Sequence, residues 1–112
     1  MTGRGGRPAA GRPDAFAALA DPTRRLLLER LAGGERSVTA LTEGLAMSQA
    51  AVSQHLRLLR DTGLVEARAD GRRRVYRLRP EGFADLRGWL EAIDRFWAGR
   101  VAALDRYLEE GP

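Results

Sequence analysis

The run SQAAVSQHLRLLRDTGLVEARADGRRRVYRL, residues 48–78, decides the fold. It opens with Ser48, a residue whose hydroxyl can accept the first free N–H groups of a helix. Val52, Leu56 and Leu59 then recur at helical spacing, with Leu56 and Leu59 within about 40° of Val52 at roughly 100° per residue. Gly63 ends that helix. Two β-prone runs follow, Leu64–Arg68 and Arg73–Leu78, separated by Ala69-Asp70-Gly71-Arg72. Asp-Gly between extended runs predicts a tight hairpin, here read as a type I′ turn with positive φ at both central residues.

Upstream, Ser37 caps a short helix carrying Val38, Leu41 and Leu45, and Gly44-Leu45-Ala46-Met47 makes the turn into the helix at Ser48. Two short helices joined at a glycine-containing turn are a helix-turn-helix. Further upstream, Asp21-Pro22-Thr23 supplies an N-cap and a proline at the first helical position, where its missing N–H costs nothing. Leu26, Leu27, Leu28 and Leu31 give that helix its apolar face, and Gly33-Gly34 ends it. Asp14 caps a shorter helix bearing Phe16 and Leu19. Residues 1–13, rich in Gly, Pro, Ala and Arg, have no periodicity and read as a disordered basic tail. Two Gly-Arg-Pro copies there, at 6–8 and 11–13, faintly resemble an AT-hook.

Downstream, Pro80 closes the hairpin and opens a long helix, residues 80–110, that Gly99 can divide in two. One apolar stripe runs Phe83, Leu86, Leu90, Ile93, Trp97, Val101, Leu104, Leu108; a second runs Trp89, Phe96, Ala103, Tyr107. The first can pack on the chain's own domain. The second needs another partner. The fold class is therefore mainly α with a small β-hairpin wing, one domain with its winged core at 14–79.

Charge sharpens this reading. All 19 basic residues are Arg. Residues 48–79 hold eight Arg against three acids, whereas 80–112 hold four against seven. A localised basic footprint points to a polyanion, most often nucleic acid. No run approaches 18 consecutive apolar residues, which argues against a membrane-spanning helix. Cys is absent and His occurs once, so disulfides, thiolate sites and multi-histidine metal centres are excluded within the chain. The lack of Cys fits a reducing cytoplasm. With no phosphate loop and no nucleophile–base pair, an enzyme is not expected, and no cofactor is implied.

The order helix, helix, helix-turn-helix, two-stranded wing resembles the ArsR/SmtB family of bacterial winged-helix repressors. "ALADPTRRLLLERL" (18–31) and the 48–78 run carry the resemblance, which spans about residues 14–109. It implies a homodimer paired through the first and last helices, and operator binding by the fourth helix and the wing. The candidate dimer residues are Phe16, Leu19, Trp89, Ile93, Phe96, Trp97, Leu104, Tyr107 and Leu108. Metal-sensing members of that family carry Cys pairs, or His and carboxylate sets on the last helix. Here the last helix has Asp85, Asp94 and Asp105 but no His, so no metal site is expected and the signal is unknown.

The fourth helix supports DNA reading on its own terms. Opposite Val52 lie Ala50, Gln54 and Arg57, flanked by Ala51 and Ser53, with Ser48 and Gln49 at the helix start. This face is small and uncharged near the N-terminus, so it can enter a major groove, and the helix N–H groups favour phosphate. Gln54 suits adenine; Arg57 suits guanine or phosphate. His55 falls at the edge of the buried face, suited to local hydrogen bonding or a phosphate. In the wing, Arg72, Arg73, Arg74 and Arg77 suit phosphates or a narrow minor groove, while Tyr76 reads as wing core. The expected partners are double-stranded DNA, bound as an inverted repeat, and a second copy of the chain. The alternative is a winged-helix module for protein–protein contacts.

Overall fold

The computed structural model describes residues 14–110; the Gly-Arg-Pro tail lies outside them. Four helices come before the hairpin: α1 (Ala15–Ala18), α2 (Pro22–Leu31), α3 (Val38–Thr42) and α4 (Gln49–Asp61). Each is capped by the residue the sequence offers. Asp14 accepts from the Ala17 N–H at 2.8 Å. Asp21 accepts from the Thr23 and Arg24 N–H groups at 2.7 and 3.2 Å. The Ser37 and Ser48 hydroxyls each accept an amide at 3.1 Å, from Ala40 and Ala51. The chain between α3 and α4 turns at Gly44, whose φ of 78° suits glycine. Arg30 reaches across from α2 and donates to the Leu41 and Glu43 carbonyls at 2.9 and 2.7 Å, satisfying the end of α3.

Strands β2 (Val65–Asp70) and β3 (Arg73–Leu78) form the wing, and β1 (Arg36–Ser37) adds to the far side of β3. This third strand was not anticipated; two residues carry no periodicity of their own. The turn also differs from the expected one. Asp70 pairs with Arg73, so the central residues are Gly71 and Arg72. Only Gly71 has positive φ, 64°. That is the pattern of a type II′ turn, which requires glycine only at its first central position.

The core gathers Leu27 and Leu31 of α2, Leu41 of α3, Val52, Leu56 and Leu59 of α4, and Leu64, Val65 and Tyr76 of the wing base. Each buried Leu contributes about 1.5–3 kcal/mol relative to exposure. Tyr76 is thus wing core, as expected. A 3₁₀ turn over Pro80–Phe83 then carries the chain into α5 (Ala84–Glu110). Gly82 makes this passage possible. A Cβ there would lie 1.9 Å from the Gly63 carbonyl oxygen, a backbone atom that cannot swing away.

Helix α5 has 27 residues, about 40 Å at 1.5 Å each. It runs unbroken through Gly88 and Gly99, so Gly99 does not divide it. The expectation that one apolar stripe packs on the chain's own domain holds only at its start. Leu86 is buried and Phe83 and Ile93 are half-buried. Beyond Leu86, Trp89, Leu90, Phe96, Trp97, Val101, Leu104, Tyr107 and Leu108 are each more than half exposed. The described domain ends before the helix does: Trp89 and Leu90 still meet α1 residues, and the side chains further along are left exposed. Among the described residues no helix is long and apolar enough to cross a membrane.

Candidate nucleic-acid interface

Helix α4 turns Val52, Leu56 and Leu59 into the core. Gln49, Ala50, Gln54 and Arg57 are left exposed, and Ala51 and Ser53 half-buried on the flanks. The outward face is the one the sequence arithmetic placed opposite Val52. Not every polar group on it is unengaged. The Ser48 hydroxyl is committed to its cap. Gln49 donates its side-chain amide to the Thr39 hydroxyl at 3.1 Å, fastening the start of α4 to α3. Gln54 and Arg57 have no such partner among the described residues, so they are the side chains left available for base edges or phosphate.

His55 is half-buried and turned toward α2, where its Nδ1 lies 3.4 Å from an Arg24 Nη1. This is the local hydrogen bonding that its position at the edge of the face suggested. Nearby, burial pushes the Asp21 carboxyl up. The Arg24 and Thr23 amides, helped by the Arg24 charge, outweigh this, holding it below its ordinary range.

The wing divides its arginines by face. Side chains alternate along a strand, and directly opposed residues share a face. On one face Arg77 pairs with Glu66, Arg73 with Asp70 at 3.1 Å, and Arg68 with Glu35 at 2.7 Å. The Arg68 hydrogen bond holds the Glu35 carboxyl below its ordinary range. Arg79 is likewise engaged, by Glu81 at 3.0 Å and by the Gly63 carbonyl at 3.1 Å. Arg72 at the turn and Arg74 on the other face have no acidic partner among the described residues. The expected cluster of four wing arginines is therefore two paired and two open. A count of Arg along the chain cannot separate these. The signal was present, however, in Glu66 and Asp70, which the hairpin register sets opposite Arg77 and Arg73.

The candidate dimer residues lie on other elements, α1 and α5 and the turn between α1 and α2. Phe16 of α1 and Trp89 of α5 meet edge to face, 5.9 Å between ring centres. Beside them runs an apolar groove of about 350 Å³ lined by Leu19, Phe83, Leu86 and Leu90, with Arg87 at its rim. Further along α5, Phe96 and Trp97 pack edge to face at 5.8 Å and Arg100 lies 4.8 Å over the Phe96 ring. Leu104, Tyr107 and Leu108 continue the exposed face. No group of three or more potential ligands that could hold a metal ion occurs among the described residues.

Known proteins share this arrangement. Residues 21–67 match the family described as bacterial regulatory protein, arsR family. The chain is 51% identical over 98 residues to the HTH-type transcriptional regulator Rv2034 of Mycobacterium tuberculosis, covering 87% of this chain and 89% of that protein. It is 45% identical over 71 residues to a probable mercury resistance operon repressor of Streptomyces lividans, covering 63% of this chain and 57% of the relative. Among solved structures, a possible transcriptional regulator for arsenical resistance superposes with a TM-score of 0.67 at 42% identity, covering 89% of this chain and 98% of that one. The capped helix-turn-helix, the wing and these relatives agree: the chain belongs to the ArsR family of bacterial transcriptional regulators, DNA-binding proteins of the winged-helix fold, and not to a family of enzymes.

Proposed function

We propose that this chain acts as a homodimeric repressor that binds an inverted-repeat operator. The observation that carries the reading is the separation of two exposed surfaces. One is the outward face of α4, small and uncharged near its N-terminus and carrying Gln54 and Arg57, together with a wing bearing Arg72 and Arg74. The other is the apolar face of α5. An apolar face this long is rare on a monomer. Two-fold pairing makes it self-complementary and sets two recognition helices about one DNA turn, or a multiple of it, apart. Repression is supported by the similarity to the Streptomyces lividans relative, a probable operon repressor.

In this reading α4 enters the major groove, where Gln54 reads one base pair per half-site and Arg57 binds guanine or phosphate. Arg72 and Arg74 bind phosphates flanking that groove. Arg73 and Arg77 contribute less than the sequence alone suggests, because Asp70 and Glu66 already neutralise them. With no Cys, and with its one His held by Arg24, the chain responds to something other than a metal gripped by thiolates or imidazoles. Release of DNA by stoichiometric zinc or cadmium, surviving a mild chelator, would contradict that.

The experiment is selection of binding sites from random duplexes with the purified protein. An imperfect inverted repeat is expected. Enrichment of a single asymmetric half-site, or of no sequence at all, would overturn the reading.

A further inference from the structure

Arg24 stands where three elements meet, with its side chain only 15% exposed. Its Nε donates to the Ala18 carbonyl at 2.8 Å and its Nη2 to the Ala17 carbonyl at 3.3 Å, both at the end of α1. Its Nη1 lies 3.4 Å from His55 Nδ1 on α4 and 3.8 Å from the Asp21 carboxylate that caps α2. A guanidinium can only donate hydrogen bonds. For this contact to be a hydrogen bond, His55 Nδ1 is the bare ring nitrogen and the ring proton sits on Nε2.

Helix α1 has four residues, too few to hold its place by its own hydrogen bonds. It is fixed instead by side chains. Arg24 and Arg25 grip its carboxyl end, the latter through the Leu19 carbonyl at 2.6 Å. Phe16 sets it against Trp89 of α5. A continuous line of contacts thus runs from the exposed apolar face of α5, through Phe16 and α1, to Arg24 and His55. His55 is next in sequence to Gln54, on the helix assigned to DNA.

We infer that Arg24 is a positioning residue for DNA recognition: through His55 it ties the setting of α4 to that of α1, and so to the apolar face that α1 shares with α5. The inference rests on the DNA-binding role of α4 proposed above. Arg24 touches no DNA in this account. A shift of α1 against Trp89 would draw the guanidinium off His55 and loosen the reading helix at its centre, where Arg24 supplies the polar link to α1 beside the apolar packing of Ala18. The protein then needs no ligand at the DNA face to lose its operator. A change at the α1–α5 junction is enough.

Two measurements test this, and the first needs no DNA. Nitrogen-15 NMR of the wild-type imidazole should show Nδ1 unprotonated and Nε2 protonated, with the Nδ1 resonance moving in Arg24→Gln. A proton on Nδ1, or a resonance indifferent to Arg24→Gln, would overturn the tie whatever the DNA result. The second is a double-mutant cycle on the selected duplex. Arg24→Gln and His55→Leu should each weaken binding about 10-fold, and the double variant should be little weaker than the worse single one, the mark of coupled residues. His55→Gln, which restores an acceptor oxygen, should bind severalfold tighter than His55→Leu. Losses that multiply, or a Gln no better than Leu, would mean that Arg24 merely holds α1. Wild type that binds no duplex at all would refute the role of α4, and the imidazole spectrum would still decide the tie.

Discussion

The winged core and helix α5 are built from similar residues and treat them in opposite ways. In the core, Leu27, Leu41, Val52, Leu56, Leu59 and Leu64 are fully buried. Along α5 Leu86 alone is buried, at 8% exposure, while Trp97 is 58% exposed and Leu108 67%. The core closes on itself because three helices and a sheet surround one apolar centre. Helix α5 projects beyond that centre, and among the described residues nothing covers its far part. Apolar periodicity therefore has two outcomes in this molecule: in the core it is buried and specifies the fold, and in α5 it stays exposed, the face that the proposed dimer would cover.

The largest expected effect separates these meanings. Phe96→Glu with Trp97→Glu places four carboxylates in a two-fold interface while touching nothing in the core. Thermal unfolding of residues 14–79 should be nearly unchanged. Operator affinity should fall by about 100-fold or more, since a dimer gains about 10²–10⁴ from engaging both half-sites together. A variant that binds like wild type would break the comparison.

Gly82→Ala attacks the core from the other side. With a Cβ 1.9 Å from the Gly63 oxygen, the 3₁₀ turn must shift, and overpacking of this kind costs about 1–3 kcal/mol. The loss should appear in chemical denaturation, including at concentrations where the association state is unchanged. A neutral result would show that the start of α5 is less tightly docked than the backbone indicates.

The smallest effect lies within the DNA surface. Gln54→Ala should cost about 1–3 kcal/mol on the selected duplex and relax preference at one position per half-site. Its salt dependence should stay nearly constant, since no charge is removed. Arg72→Ala with Arg74→Ala should weaken specific and scrambled duplexes alike. It should also flatten log affinity against log salt by up to about two units per protomer, at about 0.9 for each phosphate released. Arg73→Ala with Arg77→Ala should flatten it less, because Asp70 and Glu66 hold those charges. Equal slopes for the two pairs would show that DNA competes the acids away.

Much of this was legible in the chain. Asp14, Asp21, Ser37 and Ser48 each cap the helix they precede, because capping depends on the next three residues. The α4 faces followed from spacing alone. What could not be read locally depends on tertiary approach or register. Gly82 looks like any loop glycine until Gly63 is brought against it. The turn was displaced by one residue because Asp70 extends the β2 ladder instead of occupying the bend. The third strand, β1, exists only because β3 offers it an edge. The open and paired wing arginines differ only by which acid lies opposite, and the reach of the domain along α5 is set by where the other helices stop.

Sedimentation equilibrium of the wild-type chain, free of DNA at micromolar concentration, tests most directly whether the exposed face of α5 is an association surface. The account predicts the mass of two chains, reduced to one by Phe96→Glu with Trp97→Glu. A wild-type chain that sediments as a monomer would contradict it.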